Sequence, residues 1–296
     1  MEAVTYRDIP CKSALHKLKR KIPYGWDLNI YRGCEHGCLY CYARSSHQYL
    51  DGDFCRDIHV KKDISSFLER ELSAPGWKRE VVNIGGVTDS YQPAEKEYRL
   101  MPEILKLLIQ HKTPAIISTK SDLILRDYDL IDELSRLTYV NVAVTVTTMD
   151  EGLRQLLEPG GVPSRKRFAV LEAFRQTNAS TGLHMMPIIP YLTDTFENID
   201  AILCRGKDAR VHYVLPGTLY LRGDSRRSFF SFLETHFPEI CKEFSALYQK
   251  GGAGKEYKDR LYQMVNACRK RYELSSSYTK AMQEKMPKEE EQLSFF

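Results

Sequence analysis

Six short apolar runs alternate with amphipathic segments over the first 220 residues, and no other property of the chain narrows its fold as far. The runs cover residues 27–31, 80–84, 115–119, 141–147, 183–189 and 210–215 and are rich in Val, Ile and other apolar residues. Strands covered on both faces read this way. The segments between them carry helix signals. Pro102 suits a first helical position, and Ile104, Leu105, Leu107 and Leu108 follow on one side. Asp127 can cap a helix whose buried stripe is Leu130, Ile131, Leu134 and Leu137. Ser164 and Thr195 can cap the next two, the second closed by Gly206. Repeated strand–helix alternation implies a parallel sheet, because each parallel pair needs a long crossover. The expectation is an α/β fold, a partial (β/α)6 TIM-type barrel with fewer strands than the complete eight.

After about Gly223 the strand signal stops. Residues 228–248 and 255–272 read as helices, separated by a flexible Gly251-Gly252-Ala253-Gly254. The expected organisation is a barrel with an N-terminal extension (1–222), a helical C-terminal extension (223–288) and a mobile tail (289–296).

Composition excludes several classes. No run approaches the ~18 apolar residues of a membrane helix. Met1-Glu2-Ala3-Val4 lacks the apolar core of a signal peptide, so a cytoplasmic protein with reduced thiols and no membrane partner is expected. A net charge of +4 permits a nucleic-acid partner without arguing for one. Eight cysteines would mean little if evenly spread, but three fall within eight residues.

Those three form Cys34-Glu35-His36-Gly37-Cys38-Leu39-Tyr40-Cys41, a C-x3-C-x2-C spacing just after the first run. Their soft thiolates suit zinc or iron–sulfur. A structural zinc site takes four ligands, and His36 could be the fourth. On a cubane of four irons, three cysteines leave one iron open to another molecule.

This spacing after a first barrel strand resembles the signature of the radical S-adenosylmethionine (SAM) superfamily. Gly33 to Arg44, Val87-Thr88-Asp89-Ser90-Tyr91-Gln92-Pro93, Thr119-Lys120-Ser121 with Arg126-Asp127, and Glu158-Pro159 with Arg167 resemble successive motifs of its spore photoproduct lyase-like branch. The likeness runs from about residue 23 to 220. It implies a [4Fe–4S] cluster on Cys34, Cys38 and Cys41, with SAM on the open iron and an electron donor to the cluster. Cleavage of SAM would yield a 5′-deoxyadenosyl radical that takes hydrogen from a substrate.

The resemblance also implies a SAM site. Tyr40 would pack against the adenine, Gly85 and Gly86 would let backbone approach, Lys120 would reach the carboxylate, and Thr145 or Thr147 would bond the ribose or methionine portion. Read as residues alone, Tyr40 fills the barrel mouth, the glycines make a turn, Lys120 is exposed, and the threonines are routine strand residues. Asp89 is either catalytic or the cap of the turn before Pro93. In the lyase a cysteine after the second strand relays hydrogen with a tyrosine that follows the third cluster cysteine. Tyr42 keeps the tyrosine's place as a catalytic candidate, whereas Gly86 stands at the cysteine's. Cys55 either substitutes in space or is a lone buried thiol. Cys11, Cys204, Cys241 and Cys268 read as core or surface thiols.

The end of the chain, Gln292-Leu293-Ser294-Phe295-Phe296, resembles the pentapeptide by which bacterial repair proteins bind the DNA sliding clamp, with Phe295 in place of the usual Leu. Gln292, Leu293, Phe295 and Phe296 are the candidate contacts; the alternative is that the apolar pair folds back on its own core. Basic clusters at 17–21, 165–167, 226–227 and 269–271 could contact phosphates, and Tyr24, Trp26 and Tyr49 could stack on bases. The expected function is a radical SAM enzyme acting on nucleic acid in a repair-like reaction. The alternatives are the same chemistry on a peptide or small molecule, and a non-catalytic zinc module using Cys34, Cys38, Cys41 and His36.

Overall fold

A computed structural model describes residues 3–19, 22–47 and 52–286. Arg20, Lys21, Tyr49 and the tail candidates Gln292, Leu293, Phe295 and Phe296 lie outside the described residues. The strands in chain order are β1 (Thr5–Asp8), β2 (Leu15–Lys17), β3 (Trp26–Leu28), β4 (Tyr31–Arg32), β5 (Asp57–Val60), β6 (Val82–Ile84), β7 (Ala115–Thr119), β8 (Val140–Thr145), β9 (Ser180–Ile188) and β10 (Tyr213–Thr218). The helices are α1 (Ile64–Leu72), α2 (Ala94–Tyr98), α3 (Leu100–Gln110), α4 (Tyr128–Leu137), α5 (Glu151–Leu157), α6 (Ser164–Phe174) and α7 (Phe196–Asp208). After β10 come α8 (Gly223–His236), α9 (Cys241–Leu247), α10 (Lys255–Arg271) and α11 (Thr279–Lys285).

One sheet has the order β10-β9-β8-β7-β6-β3-β2, parallel throughout except that β2 runs antiparallel to β3. β10 and β2 are its two edges, so the six parallel strands make an open barrel. A second, smaller sheet has the order β1-β5-β4. Strand side chains such as Val82, Ile117, Val142 and Leu183 share one buried core with Ile104 and Leu108 of α3, Ile131 and Leu134 of α4, and Phe168 and Leu171 of α6.

All six expected runs contribute strands to the larger sheet, and their ends shift for local reasons. Asn29 accepts from the Val87 N–H (2.9 Å) and its carbonyl accepts from Lys61 Nζ (2.8 Å), so the chain leaves β3 and Tyr31 pairs with Val60 in the smaller sheet. β9 starts early, at buried Ser180 and Thr181; a Cβ on the following Gly182 would lie 2.2 Å from the Tyr213 ring. β10 starts late because Arg210, at φ 52°, is still turning out of α7.

Several cap expectations fail. Pro102 is the third residue of α3, and Leu137 at the end of α4 is 45% exposed. Asp127 stands at the N-cap of α4, but its carboxylate binds Arg126 (2.8 and 2.7 Å). Ser164 follows the N-cap Pro163 and donates to the Thr148 carbonyl (2.8 Å). Gly206 lies inside α7, where a Cβ would sit 2.9 Å from Leu183 Cδ2; it permits close helix–strand packing and closes nothing. Thr195 caps α7 as expected, accepting from the Asn198 N–H (3.2 Å).

The segment 228–248 is two helices, broken around Pro238, which cannot continue a backbone hydrogen-bond ladder. The glycine-rich segment is not a free linker: Gly251 accepts from the Leu221 N–H (2.7 Å) and Gly252 bridges to Tyr220. Met282 and Met286, with Tyr24, pack on Val81, Ile116 and Tyr139 at the amino ends of the strands. The outer edge of β10 is also occupied. Val214 N–H donates to the Ser275 carbonyl (2.8 Å) and Thr218 N–H to the Tyr262 hydroxyl (3.3 Å). Among the described residues, no helix is long and apolar enough to cross a membrane.

Candidate functional site

The cysteine loop follows β4, and its backbone is fastened by hydrogen bonds from three other segments. Gly33 opens it at φ 84°, where a Cβ would meet the Asp57 and Phe54 carbonyls at 2.9 Å. Cys34 N–H donates to the Phe54 carbonyl (2.9 Å) and Leu39 N–H to the Leu157 carbonyl (3.0 Å). The Gly33 carbonyl accepts from Thr88 Oγ1 (2.7 Å) and Gln92 Nε2 (3.3 Å), while Gln92 Oε1 takes the Glu35 N–H (2.9 Å). Gly160 N–H donates to the His36 carbonyl (3.0 Å). Two sequence motifs, around residues 88–92 and 158–160, thus act as brackets for the loop.

Beneath the loop a buried ion pair sets the local field. Glu158 and Arg167 are both fully buried, 2.5 Å apart. Glu158 also accepts from the Tyr40 hydroxyl and from Thr147 Oγ1 (3.3 Å). Burial alone would raise the Glu158 carboxyl, but Arg167 and Lys120 hold it below the usual carboxylate range. Asp89 is similar. Its burial is overcome by His36, whose Nδ1 lies 3.2 Å away, and by the Lys120 and Tyr91 N–H groups, so it is held down to about 2. Asp89 also takes the Thr119 hydroxyl (2.8 Å). It caps the turn and joins the loop to β7.

Above this layer a cavity of about 580 Å³ opens at the carboxyl ends of the strands. Cys34, Cys38, Cys41, Tyr40, Tyr42, Gly85, Gly86, Lys120 and Thr145 all line it. Lys120 Nζ lies 5.8 Å from the centre of the Tyr40 ring and donates no hydrogen bond among the described residues. Burial would depress its amine, yet the neighbouring Cys38 and Glu158 outweigh that and raise it. Burial, opposed by Lys120, pushes the Cys38 thiol up to about 12. Thiols in such a site need a strongly bound cation to exist as thiolates. Three soft donors beside an uncommitted ammonium fit an iron–sulfur cluster with a carboxylate ligand next to it.

Other expectations are corrected. Among the described residues, no three His, Cys, Asp or Glu side chains gather as donors for one ion, and His36 is turned to Asp89. The same ring lines the cavity beside the three thiols. Thr147 is spent on Glu158. Cys55 accepts from Arg44 Nη2 (3.2 Å) and does not line the cavity, so it does not replace the lyase cysteine. At Gly86 a Cβ would fall 2.6 Å from the Asp27 carboxylate, which fills that space; Tyr42 donates its hydroxyl to the Gly86 carbonyl. The basic clusters are largely spent within the protein: Arg167 on Glu158, Lys166 on Asp122, Arg227 on Asp224, Arg271 on Asp200. Trp26 donates to Glu80 (2.5 Å) and packs on Trp77, and Tyr24 packs at the amino end, so neither is presented to bases. Tyr220 and Arg222, unnoticed in the sequence, do line the cavity.

Residues 28–202, more than half of the chain, match the Radical SAM superfamily. The chain belongs to that superfamily. An uncharacterized protein of Mycobacterium tuberculosis is 34% identical over 287 residues, covering 95% of this chain and 84% of the relative. An uncharacterized protein of Methanocaldococcus jannaschii is 28% identical over 213 residues, covering 72% and 76%. Among solved structures, spore photoproduct lyase complexed with dinucleoside spore photoproduct matches with a TM-score of 0.64 at 11% identity, covering 90% of this chain and 79% of that one. A double mutant of that lyase, with bound AdoMet and the same dinucleoside, matches at 0.63. This radical SAM protein shares their α/β fold. Its cofactors are a [4Fe–4S] cluster and SAM.

Proposed function

We propose that this radical SAM enzyme acts on nucleic acid in the cytoplasm, with Cys34, Cys38 and Cys41 holding the cluster. The observation that carries the reading is the single cavity that collects the three thiols, the uncommitted Lys120 ammonium and an open rim. When bound, the cluster and SAM would supply radical abstraction of a substrate hydrogen.

Around them the chain's own residues bind and orient. Lys120 pairs with the SAM carboxylate. Tyr40, pinned through its hydroxyl by Glu158, offers a fixed ring to the adenine. Gly85, at φ 88°, and Gly86 let the backbone approach SAM, and Thr145 hydrogen-bonds its ribose or methionine portion. Tyr42 is the hydrogen donor in place of the absent thiol. Its hydroxyl is held at the cavity mouth by the Gly86 carbonyl.

Nucleic acid is favoured because the solved neighbour of the same fold is complexed with a dinucleoside and because the tail resembles a clamp-binding peptide. Gln292, Leu293, Phe295 and Phe296 dock on the sliding clamp, and a separate electron donor reduces the cluster. The catalytic unit spans 1–222 and the helical extension 223–288.

Anaerobic purification tests the reading. A brown protein that forms 5′-deoxyadenosine from SAM and reductant, faster with an oligonucleotide, is expected. Cys34→Ala should lose the iron chromophore and essentially all SAM cleavage. A colourless protein holding one zinc, or SAM cleavage indifferent to every nucleic acid tried, would overturn it. Removing 292–296 without loss of clamp affinity would remove the clamp alone.

A further inference from the structure

The cavity's outer rim carries a second feature. Tyr220 lines the cavity directly after β10, yet it is 55% exposed. Its position comes from the glycine-rich segment. Gly252 forms an antiparallel bridge to Tyr220, and Gly251 takes the Leu221 N–H. A Cβ on Gly252 would lie 3.2 Å from Tyr220 Cδ2, and one on Gly251 would lie 2.9 Å from the Leu221 carbonyl. Gly251 also sits at φ 83°, a conformation that other residues resist. The ring therefore rests on a shelf that only glycines leave flat enough.

Two further groups complete the rim. Tyr42, on the cysteine loop, is 61% exposed and lines the same cavity. Arg222 also lines it, and its guanidinium makes no ion pair with the described residues. Its neighbours are committed: Arg226 donates to the Tyr248 carbonyl (2.7 Å) and Arg227 pairs with Asp224.

We propose that Tyr220 is a stacking platform for a nucleobase splayed out of a nucleic-acid strand, with Arg222 holding an adjoining phosphate. This rests on the nucleic-acid reading above and adds which residues grip the strand. A rigid, exposed aromatic ring beside a free guanidinium suits that ligand in both parts. Any base has a π-face to stack, and a guanidinium forks onto phosphate oxygens. The interior of the cavity is left to SAM and the base being attacked.

The test is fluorescence anisotropy of a labelled oligothymidylate with the anaerobically loaded enzyme. Tyr220→Ala should weaken binding by about five- to a hundredfold, the range of a lost base stack. Tyr220→Trp, which keeps a ring, should stay within about threefold of the parent on the same grounds. Gly252→Val leaves the ring in the chain but disturbs its shelf, and should weaken binding as well. Arg222→Gln should lower the slope of log affinity against log salt by about one phosphate contact. If the parent binds and Tyr220→Ala and Gly252→Val bind equally well, the platform is wrong and the nucleic-acid reading survives. If the parent shows no salt-dependent binding while still cleaving SAM, the nucleic-acid reading falls and takes the platform with it.

Discussion

At the amino end of the barrel Tyr139 is 1% exposed, covered by Met282 and Met286, and Tyr213 donates to Asn141 (3.0 Å) while meeting His184 Nε2 (3.1 Å). At the carboxyl end Tyr42 and Tyr220 stand open, and Lys120 has no hydrogen-bond acceptor among the described residues. Both ends draw on tyrosine, polar side chains and the same strands. One end has spent its side chains on packing and mutual hydrogen bonds, which stabilise; the other has kept them for a ligand. In this molecule a polar group left without a partner says more about function than the residue type does.

Four substitutions would break or sharpen that contrast. The largest effect is expected from Tyr139→Ala, which removes a buried ring and should cost about 3–5 kcal/mol in a urea unfolding curve. A cost below 1 kcal/mol would mean that the amino end is not the stabilising end. His184 comes next. Burial, helped by the Lys120 charge, pushes its imidazole down to about 4 from 6.5. The unfolded chain therefore takes up the proton first as pH falls. Stability from the neutral ring is whole above about pH 6.5 and is lost toward pH 4, about 3 kcal/mol in all. His184→Gln should flatten this part of the pH profile.

Gly86→Cys, restoring the lyase thiol, should cost about 1–3 kcal/mol by overpacking against Asp27. Adding Asp27→Ala should recover part of it; full tolerance of the single change would show that Asp27 does not fill the cysteine's space. Smallest of all, Tyr220→Ala should move stability by no more than about 0.5 kcal/mol. A larger loss would place Tyr220 with Tyr139 as packing.

The parallel strands are legible because burial on both faces demands continuous apolar runs, as at Val142 and Val144. β9 is longer than it reads because Ser180, Thr181 and Gly182 are polar or small yet buried beside Tyr213. β1, β2, β4 and β5 have two to four residues each, too few to show a period. The cluster loop is legible from cysteine spacing, which depends only on local chain. What Glu158 does is not: Tyr40 lies 118 residues away in the chain, and only the folded protein encloses Glu158 with Arg167. For the same reason Arg165, Lys166 and Arg167 read as one basic cluster although Arg167 is wholly enclosed. Tyr220 and Arg222 had a usable signal: an aromatic and a cation just past the carboxyl end of a barrel strand, where such folds keep their chemistry.

A sheet that does not close keeps two edges, and a free edge is a template on which other chains can pair. β2 is short and carries Lys17, which discourages such pairing. β10 is guarded differently: Ser275 and Tyr262 cover Val214 and Thr218, and Pro216 between them has no N–H to offer. The segment around Ser275 thus guards this edge. Cutting it away before Ser275 would uncover a sticky border, and its cost would be read as aggregation and lost solubility.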